Sequence, residues 1–333
     1  MASAAAQGSI ARMPTRTEFA AAIQSRLLHE RHRLAEQFAN AQPTRHFAID
    51  ELLPPDWLRE VAAAFPDPKT LLVKKSLREH KRVGIAVDDY PPVLGALLYA
   101  FQDQGVVDAI GSITKLQGLQ PDPSLYASGI SMMTKGDFLN PHLDNSHDGD
   151  QRRYRVLNLL LYATPDWHPD QGGSFELWDR QRRSPLELPA QFNRLVVMET
   201  GPGSWHSVRR VLGNQTPGQG SRNDGPRQDR PGNARPKNGL AGNDGAASDG
   251  AANDGAGNDG AGNDGARRCI SNYYFADEAP TGNDYRHVTS FAGRPEEPVK
   301  RVLLAADAMA RNLIGRAFPR LLQRSSHRRT APK

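Results

Sequence analysis

Residues 213–266 contain one large aliphatic side chain, Leu240, and no aromatic one. No other feature constrains the fold as much, because Gly, Asn, Asp, Ala, Arg and Pro cannot bury enough apolar surface to offset the entropy of ordering them. Within the segment Asn-Asp-Gly-Ala recurs at Asn243, Asn253, Asn258 and Asn263, with Ser248-Asp249-Gly250-Ala251 as a variant. The spacing of five residues is too short for a solenoid unit of roughly 20–50, and a glycine-rich calcium repeat needs a longer period with an apolar residue to pack. The segment reads as a disordered insertion, so the fold must be built from the sequence on either side of it.

Such an insertion costs little stability, since closure entropy grows only logarithmically with loop length. Removing it brings Val211 close to Arg267, so Ser204–Val211 and Arg268–Phe275 read as neighbouring strands joined by a very long hairpin loop. The other short β-like runs are Ile130–Met133, Tyr154–Tyr162, Ser174–Trp178 and Leu195–Glu199. Gly, Pro, Asn and Asp separate them, the pattern of an antiparallel sandwich or barrel. Upstream, Thr17–Asn40 places Phe19, Ile23, Leu27, Leu34 and Phe38 near one helical stripe, with Thr17 as N-cap. His46–Leu52 reads as a strand, and Pro55–Phe65 and Pro91–Leu116 as helix. In the tail, Pro295–Lys333, a basic amphipathic helix from about Val299 to Ile314 is expected to dock on the core. The expected organisation is a helix-rich region over 1–125, a β core over 126–290 interrupted by the insertion, and a basic helix and tail over 291–333.

Charge and cysteine content exclude several classes. The 42 basic and 37 acidic side chains leave a net charge of +5, so no nucleic acid or other polyanion partner is implied. The apolar runs fall well short of the roughly 20 residues that span a bilayer, and no secretory h-region opens the chain. The single cysteine, Cys269, excludes a disulfide framework and a cysteine-based zinc site within the chain; it is expected to be a buried small residue. A reducing, cytoplasmic setting is the default expectation.

The strongest chemical signal is Pro141-His142-Leu143-Asp144. In extended chain, residues i and i+2 point to one side, so His142 and Asp144 can reach a single ion. His206, in Ser204-Trp205-His206-Ser207-Val208, offers a third ligand from a separate β-like run. Two histidines and one carboxylate, with open positions left on the metal, form the facial triad of non-haem Fe(II) oxygenases. His142, Asp144 and His206 are thus the candidate metal ligands and the candidate catalytic centre.

In company with Leu159-Leu160-Leu161-Tyr162 before Asp166-Trp167, Gly172-Gly173-Ser174-Phe175-Glu176-Leu177 and Arg267-Arg268-Cys269-Ile270-Ser271-Asn272-Tyr273-Tyr274-Phe275, these residues follow a recognisable order. Over about Ser128–Phe275, less the insertion, the chain resembles the iron(II)- and 2-oxoglutarate-dependent oxygenases of the prolyl 4-hydroxylase-like branch. The resemblance implies a mainly β protein with flanking helices: a double-stranded β-helix core of the jelly-roll or cupin-like kind with a helix-rich N-terminal part. It implies Fe(II), 2-oxoglutarate as cosubstrate and O2, with ascorbate as a possible reductant, and a hydroxylated C–H bond as the outcome, with release of succinate and CO2.

For the far carboxylate of 2-oxoglutarate the family pattern selects Arg267, with Ser271 as a hydroxyl partner and Tyr162 as a phenol on the same carboxylate. Asn158 then lines the pocket and Arg268 points away. Two departures stand out: Met133 occupies a position where many relatives carry a tyrosine, and the insertion separates His206 from Arg267. His147 and His168 are expected to be solvated, with His147 near the pocket rim, and the loop Asn145–Arg153 to act as a lid or substrate contact. The substrate, a small molecule or a protein side chain, is not identified by any of these residues. Two other readings stay open: a cupin-like metal enzyme that does not use 2-oxoglutarate, and a non-catalytic binding module.

Overall fold

The computed structural model describes residues 12–84, 86–214, 263–280 and 282–317, the side chains of 311–317 excepted. Six helices and thirteen strands follow one another among these residues. Helices α1 (Arg16–His29), α2 (Arg31–Asn40), α3 (Pro55–Ala63), α4 (Pro92–Ala100) and α5 (Gln104–Thr114) precede most of the sheet, and α6 (Pro298–Ala317) follows it. The strands are β1 (His46–Ile49), β2 (Leu72–Lys75), β3 (Glu79–Gly84), β4 (Gln120–Pro121), β5 (Gly129–Met133), β6 (Phe138–Leu143) and β7 (Tyr154–Tyr162). They continue with β8 (Phe175–Trp178), β9 (Pro185–Leu188), β10 (Leu195–Glu199), β11 (His206–Val208), β12 (Arg267–Ala276) and β13 (Ser290–Phe291).

Local chemistry sets the helix ends more finely than periodicity does. Thr15, not Thr17, caps α1: its hydroxyl accepts from the Glu18 amide at 3.3 Å while the Glu18 carboxylate accepts from the Thr15 amide at 2.8 Å. This reciprocal box satisfies two otherwise orphaned donors, which a threonine two residues later has no acid to complete. The expected single helix over 17–40 breaks at Glu30 into α1 and α2. Likewise Asp103 accepts from the Gly105 amide at 3.0 Å and starts α5, which divides the run over 91–116.

The strands form one curled antiparallel sheet in the order β1-β10-β7-β12-β5-β3-β6-β11-β8-β9. From β5 to β12 the chain passes back and forth between its two arms, β10-β7-β12-β5 and β6-β11-β8-β9, with β8 and β9 forming a hairpin within the second. That alternation is a double-stranded β-helix. Strand β3 pairs both β5 and β6 and so joins the arms. The first arm is buried on both faces: Leu159, Leu161, Leu195, Val197 and Ile270 pack on the N-terminal helices. Tyr162, Val196, Met198 and Cys269 face the barrel interior. Burial on both faces explains why β7 and β10 read as nearly continuous apolar runs.

Two expectations are corrected. Strands β11 and β12 are not neighbours: β6 and β8 occupy both edges of β11, while β12 lies between β5 and β7. The two strands therefore lie on different arms, as do β5 and β6, β6 and β7, β7 and β8, β9 and β10, and β10 and β11. The expected insertion also begins and ends inside the core. Asn214 and Asn263 both bond Gln171, and Asp264 pairs with Arg268. Residues 215–262 lie outside the described residues.

Candidate active site

Pairing of β6 with β11 sets His206 directly opposite His142, with ring centroids 4.1 Å apart. Each Nδ1 lies beside the carbonyl two residues earlier, Asn140 O at 3.0 Å and Ser204 O at 2.9 Å. A carbonyl only accepts, so each Nδ1 donates, and in the neutral rings both Nε2 lone pairs stay free for a metal. Asp144 follows the end of β6. Its Oδ1 lies 3.6 Å from His142 Nε2 and its Oδ2 3.7 Å from His206 Nε2. One ligand atom from each of the three residues lies within 4.8 Å of the others, a spread that fits a single ion. Phe291 stacks on the His142 ring at 5.2 Å, and Phe175 lies 5.6 Å from that of His206.

The electrostatics keep the ligands in their metal-binding forms. Burial alone would raise the Asp144 carboxyl, but His206, His142 and Arg155 outweigh it and hold the group well below the ordinary carboxylate range. Burial and the neighbouring His142 push His206 down to about 4, against the pull of Asp144. A neutral imidazole at His206 beside an ionised carboxylate at Asp144 suits a divalent cation.

A second group of residues lies on the other arm. Arg267 is paired with Met133 across β5, and its Nη1 reaches the Met133 Sδ at 3.8 Å. Its guanidinium carbon lies 4.8 Å from the centre of the Tyr162 ring. Arg267 Nε and the Tyr162 hydroxyl are both buried and without a hydrogen-bond partner among the described residues. Burial pushes the Tyr162 phenol far above its usual value, against the opposing charge of Arg267. Gly173 makes room for this arginine: at φ 71° its Cα comes so near that an added Cβ would lie 2.7 Å from Arg267 Cδ.

The remaining expectations divide. Asn158 Nδ2 reaches Asp144 Oδ2 at 3.4 Å, on the interior side as expected. Arg268 turns away, onto Asp264 and over the Phe65 ring. Ser271 donates to the Gly129 carbonyl at 3.3 Å, a use of its hydroxyl apart from Arg267. Cys269 is buried, with its thiol pushed up to about 11. His168 is exposed beside Asp170. His147 is not solvated: it is 3% exposed, bonded to the Ser146 hydroxyl at 2.8 Å and packed against the tilted Tyr154 ring at 4.5 Å. The reason is that the loop 145–153 folds on itself, with the Asp148 carboxylate accepting from the Arg152 and Arg153 amides and from Arg153 Nε.

Sequence reasoning missed Arg155, whose side chain is 2% exposed and whose Nη1 lies 3.6 Å from Asp144 Oδ2. Strict alternation puts it on the opposite face of β7 from Asn158. The register shift that leaves Val156 unpaired between Arg155 and Leu157 reverses that assignment. Glu79 and Lys81 of β3 were also missed. They pair at 3.1 Å, and Lys81 lies near enough to His206 and Cys269 for its charge to act on both.

Fold and site together define a double-stranded β-helix with a three-residue cluster that can hold a metal ion and a buried arginine on the opposite arm. Residues 128–222, less than a third of the chain, match the model of the 2OG-Fe(II) oxygenase superfamily. The family and the triad imply iron and 2-oxoglutarate. The chain is similar to mouse prolyl 3-hydroxylase OGFOD1, 29% identical over 109 residues, which are 31% of this chain and 19% of the mouse protein. It is 35% identical to the Xenopus laevis protein of the same name over 71 residues, 20% of this chain and 14% of that one. The matches thus span no more than about a fifth of the curated relatives. Among solved structures, a Pseudomonas putida prolyl-4-hydroxylase is similar at 15% identity and a TM-score of 0.45, over 73% of this chain and 98% of that one. HygX from Streptomyces hygroscopicus, solved with nickel, 2-oxoglutarate and hygromycin B, is similar at 11% identity and a TM-score of 0.40, over 76% and 95%. Among the described residues no helix is long and apolar enough to cross a membrane.

Proposed function

We propose that this chain is an Fe(II)- and 2-oxoglutarate-dependent dioxygenase that hydroxylates a C–H bond of its substrate, releasing succinate and CO2. The observation that carries the reading is the pairing of a three-ligand cluster with a second, unsatisfied polar group across the barrel. His142, Asp144 and His206 offer three ligand atoms within 4.8 Å of one another. Arg267 Nε and the Tyr162 hydroxyl are buried and without a hydrogen-bond partner among the described residues. Orphaned buried donors are costly in a protein interior, and a carboxylate supplies the acceptors both lack.

In this reading His142, Asp144 and His206 hold Fe(II), and Arg267 and Tyr162 hold the far carboxylate of 2-oxoglutarate. Bound iron supplies open coordination positions for the keto acid and O2 and the one-electron chemistry no side chain here provides. The chain's own part is to keep the His206 imidazole neutral, hold Asp144 ionised, orient both rings through Asn140 and Ser204, and exclude water with Phe175 and Phe291. Ser271 as a further carboxylate contact, ascorbate as reductant and a cytoplasmic location belong to the same proposal.

The test is an anaerobic titration of metal-free protein with Fe(II), then 2-oxoglutarate, followed by the visible metal-to-ligand charge-transfer band. The expected result is a band that is abolished in His142→Ala and weakened in Arg267→Ala. Bound metal without a band would favour a cupin-like enzyme that does not use 2-oxoglutarate. No metal binding would favour a binding module.

A further inference from the structure

Eleven large apolar side chains are well exposed among the described residues, and four of them stand close together on α6. Val299, Val302 and Met309 are the three most exposed of all, at 74, 70 and 71%, and Leu303 is exposed at 51%. Single apolar side chains scattered over a surface need no explanation, whereas a contiguous stripe marks an interaction site.

The helix is turned the reverse way from one that buries an apolar face. Its core side is formed by Lys300, Leu304, Asp307 and Ala308, at the spacing of a single helix face. Leu304 is buried, Lys300 lies over the Phe138 ring at 4.3 Å and pairs with Glu297 at 3.0 Å, and Asp307 accepts from Arg78 Nε at 2.8 Å. Val299, Val302, Leu303, Ala306, Met309 and Ala310 are exposed on the opposite side, and no charged residue shares that face between 299 and 310. The charged groups of α6 are thus spent on the core, and its apolar stripe is left outside.

Spacing and charge together name what covers this stripe. The apolar positions recur in steps of three and four, at 299, 302, 306 and 309, and Leu313 keeps the step in the sequence. That is the seam of paired helices. Reversal about position 306 exchanges 299 with 313, 302 with 310 and 303 with 309, all apolar, so the stripe matches itself run antiparallel. Ala306 then lies at the crossing, where a small side chain lets two helix axes approach to about 8 Å. The positions beside the seam, Leu303, Ala305 and Ala310, are uncharged, so they neither repel a like copy nor select a different helix. A helix that lies on a lipid surface instead turns its lysines and arginines to the headgroups. Here Lys300 faces the core.

We propose that two copies of this chain pair antiparallel through α6, burying Val299, Val302, Leu303, Ala306 and Met309 between them. The helix is already held to its own core by Leu304, Lys300 and Asp307, so pairing orders little new chain and loses little entropy. The inference is independent of the oxygenase reading and stands or falls without it.

The test is sedimentation velocity of the full chain from about 1 to 100 μM, a range that reads a micromolar dissociation constant. The expected result is a species of twice the chain mass of 36.5 kDa. Val302→Glu combined with Met309→Glu should weaken association by about a hundredfold or more, because the seam would then bury unpaired like charges. The thermal midpoint of that variant's monomer should hold, since both side chains are exposed in a single copy. Ala306→Cys supplies the second readout. Under mild oxidant it should give a disulfide-linked dimer, which needs Cα atoms about 4.4–6.8 Å apart, and Arg301→Cys, off the seam, should not. The chain's own Cys269 is buried and leaves the gel clear. A monomer throughout the range, a dimer that survives the two glutamates, or equal cross-linking at 301 and 306 would overturn the proposal. So would a monomer that sediments with vesicles of phosphatidylserine and phosphatidylcholine, or a chain that dimerises only once residues 318–333 are removed. If the double variant fails to fold, the two cysteine variants decide.

Discussion

Two polar clusters flank the triad, and they differ in one respect. Behind His206, on the arm β6-β11-β8-β9, Glu176 is held by Arg294, whose Nη1 contacts its Oε1 at 3.0 Å, and by the Ser207 hydroxyl. Trp178 Nε1 donates to Ser207 Oγ at 2.7 Å. None of these side chains leaves a buried polar atom unpartnered. On the other arm Arg155, Asn158, Tyr162 and Arg267 all do. Both clusters are buried and charged, so burial does not tell them apart. The first cluster is satisfied as a structural clamp would be, and the second is left open where the proposed function puts its ligands.

That contrast breaks most visibly at Glu176. Glu176→Ala leaves Arg294 buried without its counter-ion and is expected to lower stability by about 3–5 kcal/mol, read from the denaturant midpoint. Arg267→Leu makes the opposite case. It removes a cation that has no counter-ion in the metal-free protein, so stability should hold or rise, while 2-oxoglutarate affinity falls by about 2–5 kcal/mol, roughly thirtyfold or more. If Arg267→Leu destabilised the metal-free protein as much as Glu176→Ala, the distinction between clamp and site would be wrong.

Tyr162→Phe sharpens the comparison at lower amplitude. Removing one neutral donor should weaken 2-oxoglutarate by about 0.5–1.5 kcal/mol, roughly two- to tenfold, with no loss of metal affinity in a titration of the same variant.

The smallest effect is one of pH, and it lies outside both clusters. His46 is buried, its Nδ1 donates to the Thr44 carbonyl at 2.8 Å, and burial lowers its pKa from the ordinary 6.5. The unfolded chain therefore takes up the proton first. The stability due to the neutral ring is present above about pH 6.5 and is lost as pH falls below it. His46→Asn keeps a donor to Thr44 and cannot titrate. It should flatten the pH dependence of the midpoint between pH 7.5 and 5.5, and an unchanged slope would show that this histidine does not contribute.

How much of this was legible beforehand depends on which physical signal each element carries. Strands β7 and β10 were readable to the residue, because both faces of that arm are buried and the apolar runs are unbroken. Strand β6 was not, although it holds His142: Asn140, Pro141 and His142 stand where a strand pattern asks for apolar alternation. Spacing and residue type sufficed for the triad itself. Arg155 was hidden by one unpaired residue, since a bulge at Val156 reverses the face on which every side chain before it stands.

The sequence alone determined the local quantities: which residue types can ligate iron, which runs are apolar enough to be strands, and that residues 213–266 carry almost nothing to pack. These depend on side-chain chemistry and on neighbours a few positions away. Only the tertiary structure decided which strands are neighbours, that His142 stands opposite His206, and that Glu176 is fully partnered where the Nε and Nη2 of Arg155 are not. The partnering of Glu176 and the unfilled Nε and Nη2 of Arg155, whose Nη1 faces Asp144, depend on contacts between residues far apart in the chain, and a buried polar atom is satisfied or orphaned only once the surroundings have closed around it.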